Sequence, residues 1–128
     1  MIVLKNSEAS NDEFNEALAY LLRKPLPAAV SWALAELVKR LQEILDRYFK
    51  LRKEIALRYG GEEMPGGSVR FSPEKPPSAE CKKEIEDLDA IENSIDFSPV
   101  RLPEKTPSGV DILYEPLIMA RLNKLVNK

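Results

Sequence analysis

Between Ala28 and Tyr59 the apolar residues Val30, Leu34, Leu37, Leu41, Ile44, Tyr48, Leu51 and Ile55 recur in alternating steps of four and three. That spacing keeps one stripe on one side of an α-helix and predicts a single long amphipathic rod. Val38, Leu45 and Phe49 widen the stripe, which predicts contact with more than one neighbour in the same domain. At a rise of about 1.5 Å per residue the rod reaches roughly 45 Å, more than a small domain readily covers at both ends. Pro27 suits its first turn, and Gly60 stands where a left-handed cap is favoured.

Shorter patterns flank the rod. Ser10 and Glu13 match the S-x-x-E capping box, and Phe14, Leu18, Leu21 and Leu22 line a first helix from about Asn11 to Arg23 that Pro25 and Pro27 close. Ser78 is a favourable N-cap for a third helix, with Cys81, Ile85, Leu88 and Ile91 on its inner face. Ile2–Leu4, Val69–Phe71 and Ile95–Phe97 read as strands of one minor sheet, with Pro99 confining the last to an edge. Ser108 and Asp111 repeat the capping pattern before Ile112, Leu113, Leu117, Ile118, Leu122 and Leu125, a helical ending that Pro116 divides.

The predicted fold is therefore α+β and predominantly helical: a long central amphipathic helix, two to three flanking helices and a minor short-stranded sheet. It forms one domain over 1–128, in which 1–27 hold a strand and the first helix and 28–60 the long helix. A turn and linker follow over 61–77, the third helix over 78–94, and an extended segment with the C-terminal helix over 95–128.

Composition narrows the chemistry. A chain of 128 residues with 19 basic and 21 acidic side chains has no global field to hold it on nucleic acid or an anionic membrane. Histidine is absent, which removes the usual general base near neutral pH and the commonest metal ligand. Cys81 is the sole cysteine, so no internal disulfide and no cysteine cluster for zinc can form. The opening MIVLK is too short for the apolar core of a signal peptide, and no run approaches a membrane span. These features predict a chain made for the cytoplasm, with no membrane partner.

Several stretches invite a sharper reading. The glycines of Gly60, Gly61, Gly66 and Gly67 follow a helix and lack the lysine of a phosphate loop, so a helix cap and turn explain them better. Lys39–Arg58 carries seven basic and three acidic residues, whereas Glu80–Asp96 carries two and seven. Antiparallel neighbours with mutually attractive rims account for both, and nucleic acid is not the expected partner. EIEDLDAIE, Glu84 to Glu92, has the carboxylates but no loop arrangement of a cation site, and reads as a solvated face. Arg70 to Pro76 matches R-x-x-P-x-x-P, a pattern that a proline-stiffened linker also produces.

A long helix closing in RYG, a turn, the acidic helix EIEDLDAIE, then IDFSPVRL and SGVDILYEPLI together resemble a family of small uncharacterised proteins encoded by tailed phages and prophages. The resemblance covers roughly Ala28 to Val126 and departs at GGEEMPGG, where a more polar turn is expected. It implies origin and supplies no catalytic residues.

The expected function is that of a non-enzymatic phage component that binds protein, in the virion or its assembly. No catalytic residue, cofactor or metal ligand is assigned. One alternative is a host-takeover factor that binds and inhibits a bacterial complex; a second is a nucleic-acid-binding regulator. The expected partner is a phage structural protein or a host protein, with self-association open, in the host cytoplasm or carried into the virion. Trp32, Tyr48, Phe49, Tyr59, Tyr114 and Met119 are the candidate interface residues, because large apolar side chains dominate binding when exposed.

Overall fold

A computed structural model describes residues 1–127; Lys128, the last residue of the predicted C-terminal segment, lies outside them. In chain order it runs β1 (Ile2–Lys5), α1 (Asn6–Ala9), α2 (Asp12–Leu22), α3 (Ala28–Arg58), β2 (Glu62–Glu63), β3 (Val69–Arg70) and α4 (Ala79–Asp89). β4 (Glu92–Ile95), β5 (Val100–Arg101), α5 (Pro116–Met119), a 3-10 turn (Ala120–Leu122) and β6 (Val126–Asn127) complete it. The architecture is α+β and mainly helical, with α3 as its long rod.

The rod ends as the glycine pair predicts. Gly60 takes φ 92°; its amide donates to the Leu57 carbonyl at 3.3 Å, and the Gly61 amide donates to the Ala56 carbonyl at 2.9 Å. This is the Schellman arrangement, which occupies the last helical carbonyls. Pro65 and Gly66 (φ 95°) then sit at the central positions of a type II turn, closed by the Gly67 amide on the Met64 carbonyl at 3.0 Å.

That turn corrects the predicted sheet. Val69 pairs with Glu63 across the hairpin, while Ile2 pairs with Ile95 in a separate antiparallel ladder and Val100 with Val126 in a parallel one. Of the three predicted strands, the first and third thus pair with each other, and only the one at Val69 lies apart, in its own two-stranded hairpin. Loop closure explains the choice for Val69, since a strand a few residues upstream is entropically the nearest partner.

The third helix is also shorter than 78–94. Ser78 caps it as predicted, accepting from the Cys81 amide at 3.1 Å, but it ends at Asp89. The buried Asn6 draws the chain away: its side-chain amide donates to the Leu88 carbonyl at 2.7 Å and its backbone amide to the Ile91 carbonyl at 3.0 Å. Glu92–Ile95 then bonds to β1, and Ile91, expected on the inner face, is exposed.

Two other predicted caps are not formed. Asn11, not Ser10, caps α2 by accepting from the Phe14 amide at 3.0 Å, while the Ser10 hydroxyl lies 3.4 Å from the Ser7 carbonyl at the end of α1. Near the C-terminus, Thr106 bonds to both Ser108 and the Val110 amide, and Lys105 bridges to Asp111, so the segment folds as a loop. The helical ending reduces to one turn begun by Pro116 and a 3-10 continuation, because the Tyr20 hydroxyl, donating to the Leu113 carbonyl and accepting from the Glu115 amide, ties down the preceding chain. Ile112, Leu122 and Leu125 are buried, but Leu113 and Leu117 face outward.

The core gathers under the first two thirds of α3, where Leu34, Leu37, Leu41 and Ile44 meet Leu4, Leu18, Leu21, Ile95, Leu122 and Leu125. Past Tyr48 the partners are α4 and the β2–β3 hairpin. α4 runs antiparallel to α3, as the opposed charges predict: Tyr48 bonds to Asp89, and Arg58 lies 3.4 Å from Glu84.

Candidate protein-interaction surface

The six candidate interface residues occupy different environments. Trp32, on the outer side of α3, is 73% exposed, and Phe49 is 53% exposed. Tyr48 is a correction: it is buried, its hydroxyl donating to the Asp89 carboxylate and accepting from Arg52 at 3.2 Å. Burial first, and the Asp89 bond second, push its pKa above the ordinary tyrosine value. Tyr48 therefore locks α3 to α4 and offers nothing to a partner.

Tyr59, at the end of the rod, is half-buried. Its pKa is raised by desolvation and by the neighbouring Glu84 carboxylate. Tyr114 is half-buried and spends its hydroxyl on the Pro103 carbonyl at 2.8 Å; desolvation raises its pKa too. Met119 packs against the core. Of the six, Trp32 and Phe49 present large apolar faces to solvent.

Phe49 stands at the edge of an open groove of about 740 Å³ between the distal half of α3, the hairpin and the start of α4. Helical spacing places Phe49, Lys53 and Ala56 along one flank of the rod, with Lys50 and Arg52 beside them. The hairpin contributes Val69 and Phe71 from the opposite wall, and Pro77 and Ile85 close the end. Phe49 packs edge-on against Tyr48, with ring centroids 5.2 Å apart, which fixes its ring while leaving one side open.

The charged side chains that line this groove are all basic among the described residues. Lys50, Arg52 and Lys53 line it, and no carboxylate does. Lys53 pairs with Glu63 on the hairpin, and Arg52 donates to the Tyr48 hydroxyl. Among the described residues Lys50 has no carboxylate within ion-pair distance.

Elsewhere the sequence motifs resolve into structure. Cys81 is buried in the first turn of α4, and among the described residues no group of three or more acidic or cysteine side chains is placed to hold a metal. The proline motif does not run as one extended ligand, because the Lys75 amide bonds back to the Ser72 carbonyl at 3.0 Å and turns the chain. Among the described residues no helix is long and apolar enough to cross a membrane.

Sequence reasoning missed the far side of the groove, since Val69, Phe71, Pro77 and Ile85 come from segments whose mutual placement depends on the hairpin. The adjacent Phe49, Lys50, Arg52 and Lys53 were the local signal. No family model, curated protein or solved structure matches the chain.

Proposed function

We propose that this chain is a non-enzymatic protein-binding component of a phage particle or of its assembly line, acting in the host cytoplasm and through apolar surface displayed on and around its long helix. The carrying observation is the set of large apolar side chains left in water: Trp32, Phe49, Leu113 at 77% exposure and Leu117 at 84%. Burying each such side chain is worth about 1.5–3 kcal/mol, a gain that folding alone leaves unrealised and that association can collect. The phage setting rests on the resemblance of the segments RYG, EIEDLDAIE and SGVDILYEPLI.

The test is a tagged chain recovered from infected or induced cells, alongside mass spectrometry of purified particles. Phage structural proteins in the recovered complex, or the chain itself in particles, is the expected outcome. A single host enzyme with no phage partner would replace this reading with host takeover. Co-purifying nucleic acid that leaves at high salt would replace it with the regulator.

A further inference from the structure

We propose that the groove beside Phe49 is a docking site for a short acidic peptide segment carrying one large apolar anchor side chain. This inference rests on the protein-binding reading above and names the chemistry of the partner. The groove's lining is largely apolar, with Phe49 and Ala56 from the rod, Val69 and Phe71 from the hairpin side, and Pro77 and Ile85 at its end. Such a surface takes a leucine-, phenylalanine- or tryptophan-sized side chain, and a volume of about 740 Å³ lies in the range of sites that enclose compact ligands.

Charge selects among apolar segments. The side chains that line the groove include three cations and, among the described residues, no anion, in a chain whose formal net charge is −2, so the basic lining sets this place apart from the chain as a whole. Lys53 is already engaged by Glu63, and Arg52 by the Tyr48 hydroxyl. Lys50 is the cation left for an incoming carboxylate. Glu63, paired with the lining Lys53, stands beside the groove and opposes a polyanion that carries a charge at every unit. A short segment with one or two carboxylates beside its anchor avoids it.

A displayed library of random linear peptides, selected on the immobilised full chain, supplies the probe. The expected consensus pairs Asp or Glu with a large apolar residue. The enriched peptide, made synthetically and titrated by fluorescence anisotropy, should lose about tenfold or more in affinity for Phe49→Ala and about fivefold for Lys50→Glu. Lys39→Glu, an equal charge change on the same helix away from the groove, should leave it unchanged. All three positions are exposed, and circular dichroism melting verifies that each variant folds.

A basic consensus, the absence of any consensus, or equal binding by Phe49→Ala and Lys50→Glu overturns the proposal. So does a labelled oligothymidylate that binds the chain and displaces the peptide. Because selection uses the purified chain alone, these failures are separate from those of the proposed function. A phage partner recovered equally by the parent chain and by both groove variants would refute the acidic-peptide site while leaving the protein-binding reading intact.

Discussion

The two ends of α3 follow one apolar pattern and meet different fates. In the proximal part Leu34, Leu37, Leu41 and Ile44 are all buried, because α2, the β1–β4 ladder and the C-terminal turn enclose them. In the distal part Leu51 is 39% exposed, Ile55 is half-buried and Phe49 opens onto the groove. The periodicity is continuous, so the contrast teaches that helical spacing specifies a face and the number of neighbouring elements specifies how much of it leaves water. Where coverage is thin, the same residues that would form core become surface available to a partner.

The largest expected effect breaks or confirms this contrast directly. Leu37→Ala removes a buried side chain from the enclosed end and should cost about 2–5 kcal/mol, whereas Leu51→Ala at the thinly covered end should cost below about 1 kcal/mol. Urea unfolding of both variants measures the difference; equal losses would show that the distal half is as tightly packed as the proximal one.

A smaller effect is expected at the joint of the distal half. A Cβ added at Gly61 would lie 2.5 Å from the Val69 side chain and 2.8 Å from the Ala56 carbonyl oxygen, so Gly61→Ala must displace the hairpin or the end of the rod. Overpacking of this kind costs about 1–3 kcal/mol. Amide hydrogen exchange should rise along 61–70 and stay unchanged at Leu34–Ile44. Protection lost equally along the whole rod would show that the two ends do not open independently.

The smallest effect belongs to the proximal end. Glu8 accepts from Lys124 at 2.8 Å and from the Lys5 amide at 3.1 Å. The Lys124 bond first, and the Lys5 amide second, hold its carboxyl below the ordinary value. A depressed folded-state pKa means the stabilisation is complete above the unfolded value of about 4.3 and is lost as pH falls through the folded one. The pair is largely solvent-exposed, so its contribution is screened to below about 1 kcal/mol. Glu8→Gln should therefore flatten the acid limb of the stability curve slightly; an unchanged slope would assign acid sensitivity to other carboxylates.

Much of the fold was legible because its signals are local. The stripe, Pro27 and the glycine pair located α3 to within a residue of Ala28–Arg58, and Ser78 located the start of α4. The missed features needed a remote partner. Nothing near Ile91 reveals that Asn6 will take the carbonyls at the end of α4. Nothing near Leu113 reveals that the Tyr20 hydroxyl, bonded to its carbonyl at 3.3 Å, will hold it out of a helix. Of the candidate surface, Trp32 and Phe49 could be nominated from the chain alone, but so could Tyr48, which is core.

By itself the order of residues determined where α3 starts and stops and where α4 starts, which side of the rod is apolar, and that opposed charges set α3 beside α4. Those properties depend on neighbours within a turn or two, or on a net charge imbalance that no particular geometry can hide. Tertiary structure alone decided strand pairing, the shortness of the C-terminal helix and which apolar residues remain in water. Each of these is a competition between partners distant in sequence, and backbone hydrogen bonds and coverage are awarded only once the chain has folded.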